Sequence, residues 1–123
     1  SVESQETRHS IDGLAYRFAV DAESDAAFAF SSDTEAFAGM ARFVAGCRVV
    51  AHDCSFPDSV DVDGHPTPSR LGEAFADSDV DHLYLTHLYP HTEGSHEAMC
   101  AAVAESFDGT VHVARDGLRV SIS

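Results

Sequence analysis

Several acid and imidazole side chains stand where apolar runs stop. The run Ala27-Phe28-Ala29-Phe30 breaks at Ser31-Ser32-Asp33-Thr34, Arg48-Val49-Val50-Ala51-His52 closes on Asp53, and His82-Leu83-Tyr84-Leu85-Thr86 closes on His87. His65 lies between Asp53 and His87 in a stretch marked by Pro and Gly, and His9 lies in the turn ahead of Leu14. If the apolar runs are strands of one sheet, their ends share an edge, and side chains far apart in sequence converge there. Imidazole with carboxylate suits zinc, manganese or iron and does not suit calcium. A carboxylate between two such ions can bridge them. Two ions about 3.5–4 Å apart activate a water and stabilise the leaving oxygen of a phosphoester. A histidine beside a carboxylate suits general acid catalysis near neutral pH. Plainer readings compete with these, since Asp is a favoured helix N-cap and a lone loop histidine is ordinarily solvated.

The elements that must position these residues are legible in the pattern. Alternation predicts a weak strand over 2–7, then a strand over 14–20 with Leu14, Tyr16, Phe18 and Val20 on one face. A polar connection over 21–25 leads to the returning strand over 26–30. Phe37, Met40 and Val44 fall on one face of a helix predicted over 35–44, which makes Asp33 either its cap or a ligand at the strand end. After the strand that ends at Asp53, residues 55–66 read as loop. Thr67 can cap a helix that begins at Pro68 and buries Leu71, Ala74 and Phe75. Ser95 can cap another helix carrying Met99, Val103 and Phe107. Two final strands are expected over 110–114 and 118–122, separated by the turn Asp116-Gly117. Strands alternating with helices make the fold class α/β.

The 123 residues, 1–123, amount to one domain at most, and Ser1 in place of Met suggests a cut boundary or a processed product. No apolar run reaches membrane-spanning length and no secretory signal is seen, so a soluble, cytoplasmic protein with no membrane partner is expected. The three cysteines, Cys47, Cys54 and Cys100, lack a CxxC spacing and read as reduced thiols. No base stands beside Cys54 in sequence, so it is not read as a nucleophile. Acidic residues number 21 against 7 basic ones, and every basic residue is Arg, which gives a formal charge of −14. Acid spread along a chain that is 44% hydrophobic is a folded acidic surface, not a disordered tail. Two readings follow: a surface adapted to high salt, where self-repulsion is screened, or an ordinary acidic cytosolic protein. The missing Lys and the Asp- and Ala-rich composition favour the first, so the expected setting is a halophilic, haloarchaeal cytoplasm. Either way the charge disfavours non-specific binding to nucleic acid.

Taken together, Arg8-His9-Ser10, Leu14-Ala15-Tyr16-Arg17-Phe18, Ser32-Asp33-Thr34, His52-Asp53-Cys54-Ser55-Phe56-Pro57, Gly64-His65-Pro66-Thr67 and Leu85-Thr86-His87-Leu88-Tyr89-Pro90 resemble, in order and spacing, the C-terminal half of a metallo-β-lactamase-fold hydrolase. The pattern is most similar to the phosphodiesterase branch, which holds the ribonuclease Z enzymes and the small cyclic-phosphate phosphodiesterases. The resemblance implies the second half of an αββα sandwich, a mixed sheet with helices on one face. It implies two divalent metal ions, zinc first and manganese as the alternative. His9 would then ligate one ion, Asp33 bridge both and His87 ligate the other. His65 would face the scissile phosphate as general acid, oriented by Asp53. His91 and His96 lie near this site in sequence and carry no assigned role.

One departure from the family pattern matters. The His-x-His-x-Asp-His block, which supplies four further ligands from the N-terminal half, is absent from this sequence. The chain alone is therefore expected to be catalytically silent, with an incomplete metal site. An apolar sheet face built from residues such as Phe28, Phe30, Val50 and Leu85 is expected to be covered by the missing N-terminal half or by a second copy. The rival reading is a non-catalytic half-domain or partner subunit. A thioester or lactone hydrolase of the same fold is disfavoured by the His65 block. With no tRNA-gripping arm between His9 and Asp33, a small phosphodiester is the expected substrate ahead of RNA.

The charge yields the first testable expectation. Carboxylate repulsion reaches over about 30 Å at 0.01 M salt and about 3 Å at 1 M. The melting temperature should therefore rise as potassium chloride goes from dilute to molar. A flat or falling curve in a thermal melt removes the halophilic reading.

Overall fold

The computed structural model of the chain describes residues 2–7, 13–19, 27–60, 65–88 and 90–120. The predicted turn before Leu14, with His9, and the predicted connection over 21–25 lie outside them. Strands β1 (Val2–Glu6), β2 (Leu14–Ala19), β3 (Ala27–Phe30), β4 (Val49–Asp53), β5 (His82–Thr86) and β6 (Thr110–Val113) form one sheet in sequential order. β1, β2 and β3 pair antiparallel, and β3 to β6 pair parallel, so the sheet is mixed. Helices α1 (Ala38–Phe43), α2 (Pro68–Ala74) and α3 (His96–Ala104) make the three parallel connections, with a 3₁₀ turn at Pro90–Thr92 ahead of α3.

Parallel neighbours joined through a helix cross over with one hand. Three such connections in the same direction along the sheet deliver all three helices to the same face. Burial agrees. Ala15, Ala29, Val50, Leu83 and Leu85 point to the helix side and join Met40, Val44, Leu71, Phe75, Met99, Val103 and Phe107 in one core. Fully burying a side chain such as Leu71 or Phe75 is worth roughly 1.5–3 kcal/mol. Arg17 ties β2 to the end of α1, where its Nη1 donates to the carbonyls of Phe43 at 3.0 Å and Ala45 at 2.7 Å. Those are carbonyls left without helical partners, and a cation is favoured there.

The opposite face carries no helix among the described residues. Val2, Leu14, Tyr16, Phe18 and Phe30 are exposed on it, held in line by the register Tyr16↔Phe30 and Phe18↔Phe28. Phe18 stacks on Phe28 with ring centres 6.3 Å apart. Towards β6, Tyr84 stacks on His112, and His82 Nδ1 lies 3.1 Å from His112 Nε2. The expected open face is therefore present, but Val50 and Leu85 are not part of it. β3 pairs Phe28 with Val49 and Phe30 with Ala51, so strand alternation sends Val50 and Leu85 to the helices, where both are fully buried.

Three further expectations are corrected. Helix α1 starts at Ala38, not at residue 35: residues 31–37 are irregular, and Phe37 at the N-cap is extended (φ −153°, ψ 151°). Thr67 occupies the N-cap of α2 and Ser95 that of α3, but neither side chain makes a capping hydrogen bond. The first turn of α2 is held instead by Asp58, which accepts from Ser69 N at 2.9 Å and Ser69 Oγ at 2.5 Å. Residues 118–120 form no strand beyond the turn at Gly117, and the rest of that expected strand lies outside the described residues.

Close packing makes Gly72 sensitive. A Cβ there would sit 2.5 Å from the Val103 carbonyl oxygen, on the backbone of α3. Gly72→Ala should cost about 1–3 kcal/mol despite the gain in helix propensity, read as a lower urea midpoint. An unchanged midpoint contradicts this contact. His52 supplies a pH dependence. It is fully buried on the helix side, edge-on to Phe75 at 5.6 Å. Its Nδ1–H donates to the Asp53 carbonyl oxygen at 2.7 Å, and its Nε2 is buried with no hydrogen-bond partner. Burial holds its pKa below the ordinary 6.5. The unfolded chain therefore binds a proton that the native ring refuses. That stability is present above about pH 6.5 and is lost as pH falls, by at most ~1.4 kcal/mol per unit for one proton. In urea melts between pH 7.5 and 5.5, His52→Gln should show the shallower pH slope. Equal slopes would refute the assignment.

Candidate active site

The ends of β3, β4 and β5 lie side by side, because Phe30 pairs with Ala51 and Asp53 with Thr86. The parallel ladder runs one residue further on each side: Ser31 N donates to Ala51 O and Cys54 N to Thr86 O, both at 3.0 Å. The chain then turns sharply. Ser32 and His87 adopt φ 57° and 59°, a left-handed conformation that costs a residue other than glycine roughly 1–3 kcal/mol. Ser32 is held there by its hydroxyl, which donates to Leu14 O at 2.7 Å. These turns place Asp33 Oδ1 3.1 Å from His87 Nδ1.

Asp53 lies at the centre, with its side chain 1% exposed. A buried carboxylate is tolerable only when its oxygens are hydrogen-bonded. Oδ1 accepts the Ser55 hydroxyl at 2.5 Å. Oδ2 accepts Thr34 N–H at 3.0 Å and lies 3.0 Å from His65 Nδ1. The backbone N–H of Asp53 donates to Ser31 Oγ at 2.8 Å, which fixes the strand end. Ser55 Oγ is also 3.1 Å from His65 Nδ1 and 3.2 Å from His87 Nδ1, and His87 Nδ1 is 3.6 Å from Asp53 Oδ1. Phe56 meets the His65 ring edge-on at 5.7 Å, and the His65 and His87 rings are 5.6 Å apart.

Two kinds of chemistry fit this arrangement. An ionised carboxylate only accepts hydrogen bonds, so Asp53 assigns the proton of His65 to Nδ1 and leaves Nε2 as the nitrogen that takes or gives a proton. The donor set also fits a metal. Asp53, His65 and His87 offer ligand atoms within 4.8 Å of one another, and Asp33 adds a carboxylate 52% exposed at the rim. Imidazole with carboxylate is the chemistry of zinc or manganese.

The structure thus brings Asp33, Asp53, His65 and His87 together, while His9 lies outside the described residues. Asp33 does not cap α1, which begins at Ala38 behind Phe37. Sequence reasoning had no role for Ser31, Thr34 or Ser55. Ser55 carried one usable signal, since two residues beyond Asp53 an extended chain points the same way. Thr34 acts through its backbone N–H, which no side-chain pattern reports. His96 Nε2 lies 3.0 Å from Thr92 Oγ1 and is not among the groups around Asp53. Burial drives the Cys54 thiol far above its ordinary pKa, which agrees with an inert thiol. Among the described residues no helix is long and apolar enough to cross a membrane.

No protein-family model matches the chain. A ribonuclease Z of Streptomyces avermitilis is 28% identical over 117 residues, which cover 92% of this chain and 39% of that protein. The crystal structure of the metallo-β-lactamase fold protein YhfI from Bacillus subtilis superposes with a TM-score of 0.83 at 20% identity, over 95% of this chain and 46% of that one. A diphosphatase of the PhnP family superposes with a TM-score of 0.64 at 16% identity, over 98% of this chain and 42% of that one. The chain spans less than half the length of each of these relatives. A mixed six-stranded sheet with its helices on one face, superposing in this way, gives the chain the metallo-β-lactamase fold.

Proposed function

We propose that the chain is the second half of a metal-dependent phosphodiesterase. The observation that carries this reading is the pair of imidazole–carboxylate contacts at one sheet edge, His65–Asp53 at 3.0 Å and His87–Asp33 at 3.1 Å. The buried pair has the form of a held proton donor, and the exposed pair that of a metal-binding rim. The names of two relatives, a ribonuclease and a diphosphatase, both denote cleavage at phosphorus. Asp33 would bridge two divalent ions, zinc ahead of manganese, with His87 on one and His9 on the other. Bound there, the ions would supply an activated water and stabilise charge on the phosphoryl oxygens. His65 gives its Nε2 proton to the leaving oxygen, and Asp53 holds the ring and its charge through Nδ1.

The aromatic face of β2 and β3 receives the rest of the sandwich, from the same gene or a separate chain. This agrees with a chain that spans 39% of its curated relative. With His9, Asp33 and His87 alone, neither ion reaches the about three protein ligands of a catalytic zinc, so activity belongs to the completed fold. A small phosphodiester fits better than RNA, because a −14 surface repels a polyanion. The setting is a salt-rich cytoplasm. A second reading, with His65 itself a ligand, draws on the 4.8 Å grouping of Asp53, His65 and His87.

The test uses the chain together with its N-terminal complement, a chromogenic phosphodiester and metal analysis. His65→Ala should keep the metals and lose turnover by roughly 10²–10⁴-fold, with a smaller loss for good leaving groups. Asp33→Ala should deplete both ions and His87→Ala mainly one. Loss of metal in His65→Ala selects the second reading. Absence of hydrolysis in the metal-loaded complete protein leaves the non-catalytic half-domain.

A further inference from the structure

We propose that His82 and His112, on the open face at β5 and β6, form a two-imidazole chelate for a divalent transition-metal ion such as zinc. Parallel pairing sets His82 opposite Thr110 and Tyr84 opposite His112. Residues two apart on a strand share a face, so His82, Tyr84 and His112 point together, away from Leu83 and the helices. The two histidines are diagonal neighbours, a spacing that long side chains can span. They do span it: His82 Nδ1 lies 3.1 Å from His112 Nε2, with ring centres 5.3 Å apart. Nitrogens 3.1 Å apart, each at the usual zinc–imidazole distance of about 2.0–2.1 Å, subtend roughly 100° at the ion. That lies between the octahedral and tetrahedral angles.

Tyr84 stacks on His112 at 4.5 Å with the ring planes 16° apart, which limits rotation of that imidazole. On β4 the cross-strand neighbours are Val49 beside His82 and Ala51 beside Tyr84, neither of which brings a charge to the pair. Burial first, and then the charge of His82, hold the His112 pKa below its ordinary 6.5. The ring is therefore neutral near neutral pH, the state that binds metal. Without an ion, one facing nitrogen carries a proton and the other accepts it. On binding, the donor ring moves its proton to its other nitrogen, and both facing lone pairs become ligands. Water fills the remaining positions, so the ion is held less firmly than by three or four protein ligands. The pair is separate from the candidate active site, and the inference does not rest on the proposed function. His82 opens β5, whereas Asp33, Asp53, His65 and His87 gather beyond its other end. Nor does it belong to the patch of Leu14, Tyr16, Phe18 and Phe30 on β2 and β3. Among the described residues β6 ends the sheet, and an ion shared by His82 and His112 clips that edge strand to β5. An ion that binds only the folded chain stabilises it.

The test titrates zinc into the full chain and reads histidine ring ¹⁵N shifts residue by residue. Both rings should respond at the same zinc concentration, His82 through Nδ1 and His112 through Nε2. His82→Gln should abolish the response of His112 at that concentration, and His112→Gln that of His82, because the second ligand of a chelate binds intramolecularly. Zinc should also raise the melting temperature less in either variant than in the unmodified chain. Rings that stay unshifted in excess zinc overturn the proposal, as does ligation through the opposite nitrogens. A His112 that binds equally well in His82→Gln overturns it too, since no chelate then exists. The spectra of the unmodified chain decide the matter even if a variant does not fold. Zinc signatures confined to His65 and His87 would overturn the chelate and leave the proposed function standing.

Discussion

A carboxylate removed from water sets the terms for the rest of this structure. Asp53 closes the central strand β4 and is 1% exposed, and a charge in that position must be met by donors from all sides. The donors come from separate stretches of chain. Thr34 N–H arrives from the segment after β3, the Ser55 hydroxyl from just beyond β4, and the His65 ring from the loop before α2. Ser31 in turn accepts the Asp53 amide. Any shift of β3 against β4 would strand that charge, so the parallel register and the site geometry are one constraint.

The same constraint accounts for local features that propensity alone would not produce. Residues 31–37 stay outside the helix, although Phe37, Met40 and Val44 have helical spacing, because Thr34 must present its backbone N–H to Asp53. The left-handed Ser32 and His87 are strained for side-chain-bearing residues. Both lie at the strand ends, where the chain must turn at once to bring Asp33 and His87 within 3.1 Å. The strain is offset by bonds made locally, including Ser32 Oγ to Leu14 O.

Among the described residues, helices cover the sheet on one side only. Three crossovers of one hand put α1, α2 and α3 on a single face, and the core of Leu71, Phe75, Leu83, Leu85, Val103 and Phe107 lies there. The other face exposes Leu14, Tyr16, Phe18 and Phe30 in adjacent register. We propose that this apolar patch receives the rest of the sandwich. It is also the face on which a two-sheet sandwich would close.

Much of this was legible in the residues themselves. The apolar runs, their stops at Asp33, Asp53 and His87, and the α/β alternation follow from side-chain type and period, which are local properties. The nearness of His65 to Asp53 followed from the block resemblance, and the structure places them 3.0 Å apart. Three things were decided only by the tertiary structure. The direction in which Val50 and Leu85 point depends on the pairing of β3 with β4, and register is a relation between strands. The start of α1 depends on a backbone N–H spent on a carboxylate 19 positions away. The place of Ser55 among Asp53, His65 and His87 depends on two strand ends and the loop before α2 meeting. A single chain pattern records what each residue prefers. It does not record which distant groups a buried charge will draw around it, because that is settled only when the charge leaves water.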